Sequence, residues 1–374
     1  MNESAQAKPI VAVIGGSYAG VSVAKSLDDV AEVVLIEPKD AFVHTIAALR
    51  ALVDPSWLPR IHLPYSGLLK NGKHIRDRAA KVDIGRIELA SGGELRADYI
   101  VLATGATYPF PAKTDLDDTS AAHEKILAAH ADLAAAPRVL LLGAGPVGIE
   151  LAGEIKSVWP TKHVTLLGRH PDLLGPRFRP ELKAELRRQL NELDVRLVLG
   201  TALTADPPGE PGTPSTFTAL TETGTELTAD IWYRCHGVKP NSDYLTGPLT
   251  AARQPDGSVE VTPHLQVTGQ NRVFALGDVS TADDKMGGAA VRQAEIVASN
   301  IRTLITGEAH LRRYEPQQQR RIVVPLGPEG GAGQQGTEAL LPAATVADLK
   351  GRDMMLPRFA ALLNVPAVTN PAHE

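Results

Sequence analysis

The chain has 374 residues, of which 43% are hydrophobic and 22% are charged, which is enough apolar material for two or three packed domains. Its 38 basic and 43 acidic residues give a net charge of −5, and the absence of a basic block argues against a nucleic-acid partner. The single cysteine, Cys235, excludes an intramolecular disulfide and a cysteine-only zinc site, and we expect no metal.

The sequence carries no sign of a membrane span or of a leader. No apolar run approaches the roughly 18 residues of a membrane-spanning helix, and the N-terminal residues lack the apolar core of a signal peptide. The glycine that N-myristoylation requires after Met1 is also missing. We therefore expect a cytoplasmic protein.

The first informative pattern is a strand, a glycine-rich turn, a helix and a second strand. The apolar run Ile10–Ile14 predicts a buried parallel strand, and the second strand ends at Glu37. In the dinucleotide-binding fingerprint, Gly15 makes the tight turn, Gly20 lets helix and strand pack, and Glu37 accepts from a ribose hydroxyl. Ser17 stands where the fingerprint has a glycine, and we expect this small donor to be tolerated. The pattern predicts a dinucleotide site.

The same pattern returns about 128 residues later. The strand Val139–Leu142 leads into a turn that has all three glycines, Gly143, Gly145 and Gly148. At the end of the next strand, Arg169 replaces the acid of the first unit. An arginine at this place accommodates a 2′-phosphate that a carboxylate would repel, so the sequence favours NADPH over NADH.

Two further turns follow buried strands. One contains Ala103, Thr104 and Gly105, and the other, late in the chain, contains Gly277 and Asp278. With the two glycine-rich units these turns resemble, over residues 8 to 305, the two-dinucleotide flavoprotein family. The resemblance implies that the first unit binds FAD, that Asp278 holds the ribityl chain, and that the inserted second unit binds the nicotinamide cofactor.

Several local strings indicate a closer similarity. The chain is similar to the ferroptosis suppressor proteins, which are apoptosis-inducing-factor-like NAD(P)H:quinone oxidoreductases, with the type II NADH dehydrogenases as wider kin. The similarity implies hydride transfer from NAD(P)H to FAD and delivery of two electrons to a small quinone-like acceptor. The strings are Asp40–His44, Ala47–Arg50, Gly148–Lys156, Pro263–Val267 and Asp278–Met286.

The resemblance also suggests residues that act at the flavin. Glu150 matches a glutamate that lies beside nicotinamide and flavin in related proteins, and otherwise is an ordinary first-turn glutamate. Lys285 precedes a long predicted helix whose N-terminus would face the flavin pyrimidine, although a surface loop lysine is equally consistent. His44 and Arg50 fall in a region that passes near the flavin in relatives, and His44 could instead be a structural histidine.

The scarcity of cysteine limits the chemistry. The stretch Phe42–Leu52, where disulfide reductases of this superfamily carry a cysteine pair, contains none, and Cys235 stands alone. We therefore expect the flavin to pass electrons directly to its acceptor, and Cys235 to be a packed thiol. Two alternatives remain: an NAD(P)H:ferredoxin-type reductase, and a slow redox-sensing or interaction flavoprotein of the apoptosis-inducing-factor type.

These patterns predict an α/β protein with two Rossmann-like, three-layer dinucleotide-binding domains. The FAD-binding domain comprises residues 1–110 and 245–305, the NAD(P)H-binding domain inserted in it comprises 111–244, and a small α+β C-terminal segment comprises 306–374. The stretch Lys350–Leu363 mixes apolar and basic side chains, which predicts packing against the FAD domain or a peripheral contact with a membrane.

Overall fold

The computed structural model describes residues 7–308, 310–317, 320–336 and 340–366. Most of the N-terminal residues on which the expectations about a leader and myristoylation rest lie outside these ranges.

In the first part of the chain the elements are β1 (Ile10–Ile14), α1 (Tyr18–Leu27), β2 (Glu32–Ile36), β3 (Ala41–Val43), α2 (Ala48–Val53), α3 (Leu58–Ile61), β4 (His62–Pro64), β5 (Lys73–Ile75), β6 (Ala79–Asp83), β7 (Arg86–Leu89), β8 (Glu94–Arg96), β9 (Tyr99–Leu102) and β10 (Ala106–Thr107). The middle part contains α4 (Thr119–Ala135), β11 (Arg138–Leu142), α5 (Pro146–Val158), β12 (His163–Gly168), α6 (Pro180–Glu192), β13 (Val195–Leu199), β14 (Phe217–Leu220), β15 (Glu226–Ala229), β16 (Ile231–Arg234) and β17 (Lys239–Pro240). The last part contains β18 (Val273–Ala275), α7 (Gly287–Thr306), β19 (Ile322–Leu326), β20 (Gly330–Gln334), α8 (Ala343–Val346) and α9 (Leu356–Leu362).

The first sheet is parallel and has the strand order β18-β9-β1-β2-β5. Its central strands are buried on both faces, which explains their continuous apolar sequences. Val11 pairs with Val33 on one side and with Tyr99 on the other. Because β18 returns to this sheet from late in the chain, the residues that follow β1, β2, β9 and β18 meet at one carboxyl edge.

The second sheet repeats this arrangement with the order β13-β12-β11-β16, and all of its strands are parallel. Helices α5 and α6 follow β11 and β12, as in a βαβ unit. The predicted fold class, α/β with Rossmann-like units, is confirmed. The predicted domain boundaries stay predictions, although the strands of this sheet all come from residues 138–234.

The C-terminal segment packs against both sheets' helices. The antiparallel pair β19–β20 lies against α5, where the backbone of Leu326 occupies the place that a Cβ atom on Gly153 would need. Helix α9 lies against α1, and the ring centroids of Phe359 and Tyr18 are 4.6 Å apart. The segment therefore closes over the space between the two nucleotide-binding units.

Candidate functional site

Each glycine-rich turn leaves the first strand of its sheet and enters a helix. Gly15 and Gly143, at equivalent places, have φ values of +102° and +124°, which residues with a side chain rarely adopt. A Cβ atom on Gly20 or Gly148 would lie on the carbonyl oxygen of Gly15 or Gly143, respectively. These glycines therefore allow α1 and α5 to approach their strands as closely as the fingerprint requires.

Ser17 and Gly145 precede α1 and α5 at equivalent places. Their φ and ψ angles are nearly the same, −89° and −167° for Ser17 and −86° and −173° for Gly145. This conformation is open to any residue, and a Cβ atom on Gly145 would meet no atom of the described chain within 4 Å. The serine therefore replaces a glycine without backbone strain, and its exposed side chain lies at the helix N-terminus.

Glu37 ends β2 beside the first glycine-rich turn. Its carboxylate accepts hydrogen bonds from the Gly16 amide at 2.6 Å and from the Lys39 amide at 3.1 Å. The Tyr65 hydroxyl donates to the Gly16 carbonyl at 2.8 Å and holds the turn from the other side. The position next to the N-terminus of α1 is where a carboxylate can accept from a ribose hydroxyl.

The turn after β9 connects the two sheets. The carbonyl of Ala103 lies against Gly15, at the place that a Cβ atom on Gly15 would need. The Thr104 hydroxyl donates to the Asn241 carbonyl at 2.6 Å, and the Asn241 side-chain amide donates to the Thr104 carbonyl at 3.1 Å. The Asn241 backbone amide donates to the Gly105 carbonyl at 2.9 Å. This turn therefore fixes the first glycine-rich turn to the chain that leaves the second sheet.

Asp278 follows β18 at the same carboxyl edge. The Gly277 amide donates to Gln293 Oε1 at 2.6 Å, and the Tyr108 hydroxyl donates to Asp278 Oδ2 at 2.8 Å. Burial and the neighbouring Asp278 carboxylate raise the pKa of Tyr108. Lys113 Nζ lies 4.5 Å from the centre of the Tyr108 ring, and burial lowers the pKa of this lysine although Asp278 opposes the shift. Asp278 is thus held among polar groups at the edge of the sheet.

The described residues fit a dinucleotide at each sheet. At the first sheet, a glycine turn at a helix N-terminus, the acid Glu37 and the late Asp278 meet on neighbouring strands. At the second sheet, the turn and the helix N-terminus are repeated without the acid. The first arrangement suits FAD and the second a nicotinamide cofactor.

A cavity of about 680 Å³ opens at the carboxyl edge of the second sheet. Its walls include Gly143, Gly145 and, at the end of β12, Arg169. Arg234, which also lines the cavity, pairs with Asp206 at 2.7 Å. The Arg169 side chain is exposed, and within the described ranges it makes no hydrogen bond or ion pair, so its guanidinium is available to an anionic ligand.

A larger cavity of about 930 Å³ adjoins the first and is lined by all three parts of the chain. Gly287 and Gly288, at the N-terminus of α7, border it, and half-buried Lys285 lies just before them. A helix N-terminus and a lysine on the same wall favour negative charge inside the cavity. The residues that line both cavities are Arg177, Phe178, Arg234, Cys235, His236 and Arg320.

Glu150 lines the larger cavity and forms an ion pair there. Lys350 Nζ donates to Glu150 Oε1 at 2.7 Å, and the two side chains are only 15% and 12% exposed. Burial raises the pKa of Glu150, while the ammonium of Lys350 opposes this shift. Lys350 lies on a π-helical turn, Ala347–Gly351, which is a geometry that occurs often at functional sites. The pair is therefore a group able to exchange a proton inside the cavity.

His44 does not line either cavity. It is fully buried among Phe42, Phe359 and Tyr18, and its Nε2 and Nδ1 atoms lie 2.8 Å from the Met354 carbonyl and 3.3 Å from the Tyr18 hydroxyl. Burial lowers the pKa of His44 to about 4. This geometry fits the structural alternative, and a catalytic role of His44 stays a prediction.

Arg50, predicted to contact the cofactor, points elsewhere. Its Nε and Nη2 atoms both donate to the Glu154 carboxylate, the latter at 2.8 Å, and Nη2 also donates to the Gly351 carbonyl at 2.9 Å. The Arg50 side chain is 6% exposed and lines neither cavity. The role of Arg50 in cofactor binding stays a prediction, and in the structure its guanidinium is occupied by a buried carboxylate and a backbone carbonyl.

Cys235 sits at the junction of the two cavities after β16. Its amide donates to the Leu142 carbonyl, and burial raises the pKa of its thiol to about 12. The thiol therefore stays protonated near neutral pH and is a poor nucleophile.

The apolar side chains of the C-terminal stretch are packed inside the protein. Met354, Leu356, Phe359 and Leu363 are at most 5% exposed, in contact with the core of the first sheet. These four side chains cannot supply an apolar face to a membrane, and the peripheral contact stays a prediction that they do not support. Within the described ranges, no helix combines the length and apolar character needed to cross a bilayer.

Lys350 is the site residue that the sequence does not reveal. It lies in the stretch Lys350–Leu363, whose mixed apolar and basic composition predicts only packing or a membrane contact. A lysine beside a glycine has no local signature, and its role depends on a C-terminal segment that returns to α5.

Comparisons with known proteins agree with this geometry. The sequence profile of the family described as Pyridine nucleotide-disulphide oxidoreductase matches residues 9–295. Ferroptosis suppressor protein 1 of Taeniopygia guttata is 30% identical over 334 residues, which are 87% of this chain and 88% of that protein. Apoptosis-inducing factor homolog B of Dictyostelium discoideum is 28% identical over 380 residues, 96% of this chain and 98% of that protein. The resemblance predicted from the motifs is confirmed.

Solved structures share the fold. The sulfide:quinone oxidoreductase from Aquifex aeolicus has a TM-score of 0.75 at 18% identity, covering 97% of this chain and 93% of that chain. The reductase in the covalent putidaredoxin reductase–putidaredoxin complex has a TM-score of 0.65 at 22% identity, covering 83% and 78%. At these identities the likeness concerns the fold alone.

Proposed function

Because the chain belongs to the pyridine nucleotide-disulphide oxidoreductase family, and is thus an FAD- and NAD(P)H-dependent oxidoreductase, we propose that it reduces a quinone-like acceptor. FAD, when bound, accepts a hydride from the nicotinamide and returns two electrons to the acceptor. The single cysteine leaves no intramolecular dithiol for the disulphide chemistry in the family name. The acceptor therefore receives its electrons without a protein redox pair.

The observation that carries the proposal is the Glu150–Lys350 pair in the wall of the larger cavity. Two-electron reduction of a quinone to a quinol takes up two protons, so the site must supply protons as well as electrons. Lys350 can donate one proton to a quinone oxygen and be reprotonated from solvent, while the Glu150 carboxylate holds the ammonium in the cavity. Reduced FAD, when bound, would supply the two electrons and the other proton. Tyr18, Val147 and Phe178 line the same cavity and suit the flat, apolar body of a quinone.

We also propose that NADPH is preferred over NADH. The support is the exposed, unengaged Arg169 at the end of β12, where the first unit has Glu37. An arginine can bind a 2′-phosphate through two parallel hydrogen bonds. Arg169→Ala is expected to raise the KM for NADPH about tenfold or more, equal to about 1.4 kcal/mol, and to leave that for NADH unchanged. Equal losses with both cofactors would contradict the preference.

The test of the acceptor is an anaerobic two-step experiment on the purified protein. NADPH is mixed with the flavoprotein while flavin absorbance is followed, and a short-chain quinone is then added. We expect rapid bleaching and rapid recovery, with Glu150→Gln and Lys350→Gln slowing the recovery about 100-fold. Slow bleaching, or no recovery with quinone, would instead favour a redox sensor or a reductase with a protein acceptor.

A matched control separates the cavity pair from general loss of charge. Lys239, in an exposed pair with Asp243 at 3.1 Å, is a lysine outside the cavity. Lys239→Gln is expected to leave both steps unchanged. A loss of recovery in this variant as well would remove the special role of Lys350.

A further inference from the structure

Helix α5 carries two buried glutamates one turn apart, and each is paired with a cation from a distant part of the chain. Glu150 pairs with Lys350 of the C-terminal segment at 2.7 Å, and Glu154 pairs with Arg50 of α2. Residues four apart lie on the same helix face, so the two pairs are neighbours. Only the Glu150 pair lines the larger cavity.

Arg50 connects the two pairs. Besides its bonds to Glu154, its Nη2 atom donates to the carbonyl of Gly351 at 2.9 Å, and Gly351 directly follows Lys350. The guanidinium is planar and fixed by Glu154 on one edge, so the Gly351 carbonyl is bound at a defined place. Trp57 lies 5.5 Å from the same guanidinium and further limits its movement.

The turn that carries Lys350 has little room to move. The Pro328 carbonyl lies where a Cβ atom on Gly351 would be, and the Arg352 amide donates to the Ala347 carbonyl at 2.9 Å across the π-helical turn. Arg352 pairs with Glu329 at 2.6 Å on the solvent side. Arg50 thus holds this turn from the protein interior through a side-chain hydrogen bond to its backbone.

We propose that Arg50 is a positioning residue, which bridges Glu154 to the Gly351 carbonyl and thereby holds Lys350 against Glu150. The positioning of Lys350 by Arg50 does not depend on the proposed function, but the use of the Glu150–Lys350 pair in turnover does. In this arrangement α2, α5 and the C-terminal segment must all be docked before the Glu150–Lys350 pair can form. Arg50 acts through Lys350 and does not touch the cavity.

The charged groups around Glu150 determine in which direction its pKa should move when Lys350 is displaced. The charged groups that act on it are Lys350, Glu154 and Arg50. Burial and Glu154 raise the pKa of Glu150, whereas Lys350 and Arg50 lower it. If the turn loosens and Lys350 spends less time beside Glu150, the pKa of Glu150 must rise.

The experiment follows the titration of Glu150 itself, by carboxyl-carbon NMR of the full chain with labelled glutamate. The Glu150 signal is assigned by its loss in Glu150→Gln. Arg50→Lys keeps the positive charge beside Glu154 but loses the planar fork that reaches Gly351. We expect Arg50→Lys to move the Glu150 midpoint upward, by about half or more of the shift that Lys350→Gln produces.

Two comparisons make the result specific. Arg60→Lys is the matched control, because Arg60 stacks on the same Trp57 at 4.1 Å and makes no described contact with Glu154 or Gly351. Arg60→Lys should leave the midpoint of the Glu150 titration unchanged. In a Lys350→Gln background, Arg50→Lys should add no further shift, because its effect passes through Lys350. An equal shift in that background, or an unchanged midpoint in Arg50→Lys, overturns the proposal.

A second variant covers the case in which Arg50→Lys does not fold. Glu154→Gln removes a negative charge, which by itself would lower the Glu150 midpoint, but it also weakens the anchor of Arg50. The proposal predicts an upward shift, and a downward shift overturns it. Because this titration needs neither NADPH nor quinone, failure of quinone reduction would refute the proposed function and leave this result standing.

Discussion

The buried pair of Arg50 and Glu154 provides a quantitative test of the packing between α2 and α5. The two side chains are 6% and 1% exposed, and the carboxylate accepts two hydrogen bonds from the guanidinium. Arg50→Met leaves Glu154 as a buried carboxylate without its cation, a change that costs about 3–5 kcal/mol. For 374 residues the entropy of unfolding is about 0.8 kcal/mol/K, so Tm is expected to fall by about 4–6 °C.

The stability lost in Arg50→Met should depend on pH in a defined direction. Burial raises the pKa of Glu154, and Arg50 opposes this shift in the native protein. In Arg50→Met the opposing charge is gone, so Glu154 takes up a proton in the folded state at a higher pH than it does in the unfolded chain. The deficit is therefore full at high pH and shrinks as the pH falls through the raised pKa of the folded state.

Thermal unfolding followed by circular dichroism between about pH 8 and pH 5 measures this dependence. The double variant Arg50→Met/Glu154→Met, which removes both charges, should recover most of the lost stability, because apolar side chains can replace a buried pair. Arg60→Met, beside the same Trp57, is the control and should change Tm by less than half as much. A deficit that is equal at every pH, or a double variant as unstable as Arg50→Met, would refute the reasoning.

Three further results are expected. Cys235 should resist iodoacetamide in the native protein and react in denaturant, and Cys235→Ser should keep quinone turnover, as mass spectrometry and the flavin assay can show. The folded state lowers the pKa of His44 to about 4, so His44 lowers the free energy of unfolding by up to about 3 kcal/mol as the pH falls from 6.5 to about 4. In His44→Gln, the free energy of unfolding measured with urea should therefore change less over that pH range. Gly148→Ala should weaken NADPH binding about tenfold or more in a fluorescence titration, because the added Cβ atom meets the Gly143 carbonyl. Gly145→Ser copies the arrangement at Ser17, and its affinity for NADPH should stay within about threefold of that of the parent protein. A reactive native thiol, an unchanged acid profile or normal binding by Gly148→Ala would contradict the respective expectation.

The parts of the fold that follow from local sequence are those with a strict backbone requirement. The strand Ile10–Ile14 has the predicted bounds, and the turns at Gly15 and Gly143 have the positive φ angles that only glycine adopts readily. The departure at Ser17 is also explained, because that position has a negative φ and open space. Such features repeat in both units because the physics of a turn that binds phosphates is local.

Residues whose roles depend on distant contacts could not be assigned in this way. Arg50 lies close in sequence to the flavin strands, but its partners Glu154 and Gly351 are 104 and 301 positions away. His44 likewise is fixed by the Met354 carbonyl, 310 positions later. Neither the composition nor the periodicity of the sequence records these contacts, since they form only when the C-terminal segment returns.

The C-terminal segment therefore supplies a residue of the proposed catalytic pair, Lys350, in addition to covering the two units. Lys25 of α1 donates to the end of α9 through the Leu362 carbonyl and the Asn364 side chain, so α9 is anchored to the first unit. The β19–β20 pair lies on α5 of the second unit, and Lys350 lies on the turn between these two anchors. A change in the relative position of the two units would thus move Lys350 relative to Glu150. On the proposed function, we therefore expect the Glu150–Lys350 pair to form only when both nucleotide-binding units are correctly docked, which would link assembly of the site to closure of the cavity around it.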